Sequence, residues 1–118
     1  MKNLVKILLR LEGLAILLVS AYLYYVISGN WVVFVILFLL PDLTLLAYLK
    51  DNKLGSTVYN LVHNYMTVLA ILVIGYLAGN DVVISVGLVL SSHIGLDRLV
   101  GYGLKYPNKD KTTHLQKV

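Results

Sequence analysis

The sequence contains no cysteine and few charged residues. Among its 118 residues there are two Pro, no Cys and only 14% Asp, Glu, Lys and Arg. Disulfides, thiolate metal ligands and a cysteine nucleophile are therefore excluded. A soluble domain is roughly a quarter charged, whereas this chain is 58% hydrophobic with a mean hydropathy of +0.80. The composition excludes an ordinary soluble domain and predicts an integral membrane protein.

The apolar residues form four stretches, each near the roughly 20 residues that cross a hydrocarbon core. The stretches cover about residues 4–27, 31–49, 57–78 and 82–102, with short polar breaks between them. The first is too long for a secretory signal and contains Glu12, so it predicts a retained helix. We therefore expect a single all-α domain, a transmembrane four-helix bundle with a tail at residues 105–118.

Lysine and arginine are distributed asymmetrically around these stretches. They occur near the N-terminus, between residues 50 and 56 and in the tail, whereas the breaks at 28–30 and 79–81 contain none. Positive residues flank the cytoplasmic ends of spans, so both termini are predicted to lie in the cytoplasm. This topology explains the net charge of +4. With no basic groove or aromatic platform, the expected partner is the lipid bilayer and not nucleic acid.

Five ionisable residues lie inside the apolar stretches, where an unpaired charge is costly. They are Glu12, Asp42, His63, His93 and Asp97. With a rise of about 1.5 Å per residue, Asp42 and Asp97 lie about 12 Å below the cytoplasmic surface and His63 and Glu12 about 15 Å. His93 lies one turn deeper than Asp97. The sequence thus predicts a shared polar layer in the inner leaflet.

Helical spacing places several polar residues on common faces. In the third stretch they recur every three to four positions, which predicts one helix face. These residues are Asn60, His63, Asn64 and Thr67. In the fourth stretch His93 and Asp97 are four apart and stack on adjacent turns. In the second, Pro41 lacks an N–H and is expected to free the carbonyl of Leu37 and to kink the helix.

Carboxylates together with imidazoles suit a divalent metal, Zn, Mn, Fe or Mg. We expect Asp42, His63, His93 and Asp97 to be its ligands, with Glu12 as a fifth ligand or a catalytic general base. A metal can lower the pKa of a bound water enough to supply hydroxide. This favours a metal-dependent hydrolase acting on a lipid-like or amphipathic substrate.

Two further residues are predicted to contact such a ligand. Asn60 shares the helix face of the third stretch, and Lys105 follows the fourth, where its ammonium group can hold an anionic head.

The sequence leaves non-enzymatic alternatives open. Intramembrane acids and histidines also form proton relays, for which a homodimer is expected because larger transporters use repeats. Two histidines at similar depth can also be axial ligands of a haem. Purely structural roles remain open as well. The histidines can be hydrogen-bond partners between helices, and Asp97 can pair with Arg98 or Arg10. Asp42 can be a helix cap, and Glu12 can be protonated without belonging to a site.

Four strings resemble the DUF4260 family of small bacterial membrane proteins. They are RLEG at 10–13, LLPDLTLLAYL at 39–49, YNLVHNY at 59–65 and HIGLDRLVGYGLKYP at 93–107, the last followed by THLQ at 113–116. The resemblance covers nearly the whole chain. It implies a multi-pass protein of the bacterial inner membrane, but no reaction, because the family is a domain of unknown function.

A second resemblance is to the YdjM-type membrane-bound metal-dependent hydrolases. Pro41-Asp42 is similar to their first element, His63 to part of the second, and His93 with Asp97 to the third. Thr44 stands where that pattern has another Asp, and its central histidine-rich string is reduced to His63-Asn64. The resemblance therefore implies the loss of ligands for one of two metals.

Overall fold

The structure, a computed structural model, describes residues 2–103. Within this range all regular elements are helices, which confirms the all-α prediction. They are α1 (Lys2–Ile27), α2 (Trp31–Leu39), a 3-10 helix (Leu40–Leu49), α3 (Asn52–Val62), α4 (Tyr65–Ala78) and α5 (Asp81–Val100). The predicted tail at 105–118, including Lys105, lies outside the described residues.

The two breaks without lysine or arginine are tight, capped turns. The side chain of Asn30 accepts a hydrogen bond from the Val33 amide and begins α2. The Asn80 side chain does the same for the first amides of α5. Gly29 and Gly79 precede these caps with φ of 71° and 62°, left-handed values that glycine adopts without steric cost. Both turns reverse the chain where the hydropathy pattern predicts it.

Two of the predicted spans are not straight helices. The second changes from α to 3-10 at Leu40, directly before Pro41. The third breaks between Val62 and Tyr65, and its halves are bent by 44°. The prediction that the polar residues from Asn60 to Thr67 share one face of a continuous helix is therefore wrong.

Helix α5 is the central element, since it packs against α1, α2 and α4. The closest approach is to α1, where a Cβ atom added to Gly13 would lie 2.7 Å from the carbonyl oxygen of Gly95. Small residues at a crossing allow helix backbones to meet in this way. Nearby, the Ser20 hydroxyl donates to the Ser91 hydroxyl over 2.8 Å. The packing of α1 against α5 therefore positions the helix that carries His93 and Asp97.

Many large apolar side chains are exposed, and several polar side chains are buried. Several of the most buried side chains are polar, with His63 1%, His93 2% and Ser92 0% exposed. Large apolar side chains face outward along α1, α2 and α4, for example Leu18 and Leu77. Soluble monomers rarely expose contiguous apolar surface of this extent.

One described helix, α5, is long and apolar enough to cross a membrane, or two if α3 and α4 count as one bent span. The segment Trp31–Ala47 is a shorter apolar helix. The number of spans and their orientation stay predictions.

Candidate metal centre

Four side chains from three parts of the fold converge at one point. Asp42 comes from the 3-10 helix, His63 from the end of α3, and His93 and Asp97 from successive turns of α5. One possible ligand atom of each lies within 4.8 Å of the others. The structure thus brings together the four residues that the sequence predicts as metal ligands.

The spacing of these atoms suits a single small cation. The Nε2 atoms of His63 and His93 are 3.2 Å apart. His93 Nε2 lies 3.2 Å from Asp42 Oδ1 and 3.4 Å from Asp97 Oδ2, and His63 Nε2 lies 3.7 Å from Asp42 Oδ1. Ligands bound tetrahedrally to zinc at 2.0–2.2 Å are about 3.3–3.6 Å from one another. The four separations given above are close to those edges, and all four atoms lie within 4.8 Å of one another.

Hydrogen bonds on the far side of both rings determine their tautomers. His63 Nδ1 lies 2.9 Å from the carbonyl oxygen of Tyr59, and His93 Nδ1 lies 2.6 Å from that of Phe38. A carbonyl oxygen only accepts, so each Nδ1 carries a hydrogen, and in its neutral form each ring presents a lone pair at Nε2. Two such lone pairs facing each other repel, and either a shared proton or a bound cation removes that repulsion. Metal-ligating histidines have this arrangement, with the other N–H donated to a carbonyl or carboxylate.

Pro41 explains why the carbonyl of Phe38 is available to His93. Phe38 is in the last turn of α2, where the chain passes into the 3-10 helix. Three-residue hydrogen bonding would pair its carbonyl with position 41, and Pro41 has no N–H. The carbonyl that the structure uses is one residue beyond Leu37, the one predicted. That the carbonyl of Leu37 is freed stays a prediction.

The break after α3 is held by side chains that replace the missing helical hydrogen bonds. Asn64 accepts from the Thr67 amide and so begins α4. Its side-chain amide also donates to the carbonyls of Asn60 and Leu61, the second of which accepts from the Thr67 hydroxyl too. Orphan carbonyls at a helix end are costly when buried. Because they are satisfied here, His63 can stand at the end of a helix inside the protein.

Aromatic rings enclose the two histidines. The Tyr59 ring stacks on the His63 ring with centroids 3.7 Å apart, and its hydroxyl donates to Asp97 Oδ2 over 3.4 Å. The Phe38 ring lies 4.9 Å from that of His93. On the remaining side the centre is open, because the Asp42 side chain is 51% exposed while that of Asp97 is 20% exposed.

Among residues 2–103, neither Arg10 nor Arg98 forms an ion pair with Asp97. Arg10 donates to the carbonyl of Leu99 over 2.7 Å, at the end of α5. Arg98 donates to the carbonyls of Tyr102 and His63. Within residues 2–103, the ion pairs of Asp97 are limited to the one with His93. Both structural pairings left open by the sequence are therefore absent from this range.

A family model described as a domain of unknown function, DUF4260, matches residues 6–118. The chain belongs to the DUF4260 family. Neither a curated protein nor a solved structure matches it. The family resemblance seen in the sequence is thus confirmed, whereas none of the comparisons supports the likeness to YdjM-type hydrolases. All four converging residues of this DUF4260 chain lie within the matched range.

Three predicted site residues are not part of the four-residue group. Glu12 lines a separate cavity beside Arg98. Asn60 is half-buried, and its carbonyl accepts from Asn64. Lys105 lies outside the described residues, so its role and those of Glu12 and Asn60 stay predictions.

Sequence reasoning missed two contributors to the DUF4260 centre. The carbonyl of Phe38 carries no side-chain signal. Asn64, however, followed by Thr67 three positions later, has the spacing of a helix N-cap, and this signal could have located the break.

Proposed function

We propose that this DUF4260 protein spans the membrane four times and holds one divalent metal ion between Asp42, His63, His93 and Asp97. The observation that carries the metal proposal is the pair of Nε2 atoms 3.2 Å apart. Each belongs to a ring whose Nδ1–H donates to a backbone carbonyl. The carboxylate oxygens of Asp42 and Asp97 lie 3.2–3.7 Å from these nitrogens, so that two nitrogen and two oxygen donors surround one point, as the ligands of a divalent metal do.

The outward-facing apolar surface supports the membrane proposal. Valine, leucine and isoleucine side chains are exposed along the 26 residues of α1 and along α2 and α4. Hydrocarbon is the environment in which such a surface is favourable, while the polar groups are collected inside. We place the termini in the cytoplasm of a bacterial cell on the distribution of lysine and arginine.

Zinc is the metal that the donor set fits best. Two imidazole nitrogens and two carboxylate oxygens are common zinc ligands at tetrahedral spacing. Manganese and iron accept the same donors, whereas magnesium prefers an octahedral shell of oxygens.

The finer proposal is that the centre activates water for hydrolysis of an amphipathic substrate. The half-exposed carboxylate of Asp42 leaves one side of the centre accessible, and a catalytic metal site keeps such an opening. A metal in this position can supply hydroxide at neutral pH.

A proton relay is the second candidate function. A chain of polar contacts runs from the Tyr59 hydroxyl through Asp97 and His93 to His63, and intramembrane acids and histidines serve in such chains. Haem ligation is disfavoured, since the two Nε2 atoms contact each other at 3.2 Å and leave no space for a macrocycle between the rings.

Metal analysis of the purified protein tests the first proposal. The full chain is purified in detergent, incubated with zinc, desalted, and compared with His93→Ala and with His114→Ala, the histidine outside the group. We expect stoichiometric zinc in the wild type and in the His114 variant, and loss of zinc in the His93 variant. A folded, metal-free wild type would refute the metal centre. Proton flux in liposomes, reduced by Asp97→Asn, would then favour the relay.

A further inference from the structure

A cavity of about 590 Å³ lies where α1, the start of α4 and the end of α5 meet. Its wall on α1 is mainly apolar. The remaining lining is polar or charged and comes from Glu12, Asn64, Tyr65 and Arg98. Ligand cavities commonly combine apolar walls with a few placed polar groups. In this cavity Glu12 projects from the otherwise apolar α1 wall, and Arg98 comes from α5.

Two opposite charges line this cavity without forming an ion pair. Among the residues that the structure describes, no salt bridge joins Glu12 to Arg98. The guanidinium instead donates to two backbone carbonyls and lies over the ring of Tyr65, 5.7 Å from its centroid. A ligand carrying both charges can bind between them and complement each.

We propose that this cavity binds the headgroup of a phosphatidylethanolamine lipid, with the phosphate at Arg98 and the ammonium at Glu12. Arginine is well suited to phosphate because its planar fork of donors matches the oxygens. The acyl chains then follow the apolar side chains of α1, such as Leu9 and Ile16. An anionic lipid such as phosphatidylglycerol meets Arg98 equally well but places no cation beside Glu12.

The cavity adjoins the metal centre through the backbone at the helix break. Arg98 donates to the carbonyl of His63 over 3.4 Å, and Asn64, which lines the cavity, is the next residue in the chain. A headgroup at Arg98 therefore lies one residue from a proposed metal ligand. This inference rests on the proposed function, because it assumes that the protein lies in a membrane. It extends that function by naming the lipid headgroup that would lie next to the metal centre.

Native mass spectrometry of the zinc-loaded full chain in detergent tests the proposal. Phosphatidylethanolamine and phosphatidylglycerol with identical acyl chains are titrated separately. We expect the first to bind about tenfold more tightly, since one additional hydrogen-bonded charge is worth at least that factor. Glu12→Gln is expected to bring the two affinities together, and Arg98→Gln to weaken both. The matched control Asp81→Asn, which removes a carboxylate at the opposite end of α5, is expected to keep the preference.

Equal binding of the two lipids by the wild type overturns the proposal, as does a preference that survives Glu12→Gln. Zinc content measured on the same samples separates the two hypotheses. A wild type that binds no zinc yet selects phosphatidylethanolamine supports the lipid site and refutes the metal centre. A zinc-loaded wild type without lipid preference refutes the lipid site alone.

Discussion

Replacing Pro41 with alanine is expected to weaken metal binding without destabilising the metal-free protein. The substitution restores an N–H at position 41, which can donate to the carbonyl of Phe38. That carbonyl is the acceptor for His93 Nδ1 at 2.6 Å, so the new backbone bond competes with the contact that orients the imidazole. The new backbone hydrogen bond offsets the loss of the contact between His93 and Phe38, so the metal-free protein is not destabilised.

The magnitude follows from the role of that contact. Loss of the group that orients a ligating histidine costs about 10- to 100-fold in metal affinity. At about 1.4 kcal/mol per factor of ten, this corresponds to about 1.4–2.8 kcal/mol of binding free energy. Thermal stability in the presence of chelator is expected to stay equal or to rise.

The assay is a competition titration of zinc against a chromogenic chelator, with the protein in detergent. Leu43→Ala is a matched control, because Leu43 is an exposed neighbour in the same 3-10 helix and its replacement leaves the proline intact. An unchanged zinc affinity for Pro41→Ala would refute the reasoning that the freed carbonyl sets the His93 tautomer.

Three further changes test the packing around the centre. Gly13→Ala places a methyl group 2.7 Å from the Gly95 carbonyl and forces α1 away from α5, so we expect a loss of about 1–3 kcal/mol, seen as a lower melting temperature. Ser20→Ala removes the hydrogen bond to Ser91, and a double-mutant cycle is expected to give a coupling of about 0.6 kcal/mol, the average for such bonds in membranes. Asn64→Ala removes the cap of α4, for which we expect a loss of about 0.5–2 kcal/mol together with weaker zinc binding.

Each of these changes has a control within the chain. Ala70→Val adds methyl groups at an exposed position of α4 and is expected to leave the melting temperature unchanged, in contrast to Gly13→Ala. A zero coupling in the serine cycle would mean that the bond is not formed. Asn30→Ala also removes an N-cap, but far from the centre. If it reduced zinc binding as much as Asn64→Ala, the break at His63 would have no special role.

The convergence of Asp42, His63, His93 and Asp97 could be predicted from the sequence, because position along a helix follows from residue counting. Each residue advances a helix by a fixed rise, so Asp42, His63 and Asp97 could be placed in one layer by counting from the nearest basic residues. The contact between His93 and Asp97 could be predicted from their spacing, because residues four apart share a helix face.

Rotation about each helix axis could not be predicted in the same way. Glu12 has the depth of the layer, yet the tight crossing at Gly13 fixes the direction in which α1 faces, and Glu12 lies in the neighbouring cavity. The rotation is set by tertiary packing between α1 and α5, which the pattern of one segment does not contain.

The interruptions of the helices were predicted only in part. Pro41 signals a disturbance, but the choice between a kink and a 3-10 segment depends on how the carbonyl of Phe38 is satisfied, and its partner His93 is 55 residues away. The break at His63 is hidden in an apolar stretch whose hydropathy is that of a continuous span. Only the capping geometry of Asn64 distinguishes it.

The pairing of α1 with α5 has a consequence for biogenesis. The ribosome releases α1 first, yet its small-residue face has no partner until α5, which also carries His93 and Asp97, has been synthesised. In the proposed membrane setting, Asp42 and His63 would until then lie in hydrocarbon without the α5 groups that contact them, a costly state. Under that proposal, the site is complete only once α5 has been inserted.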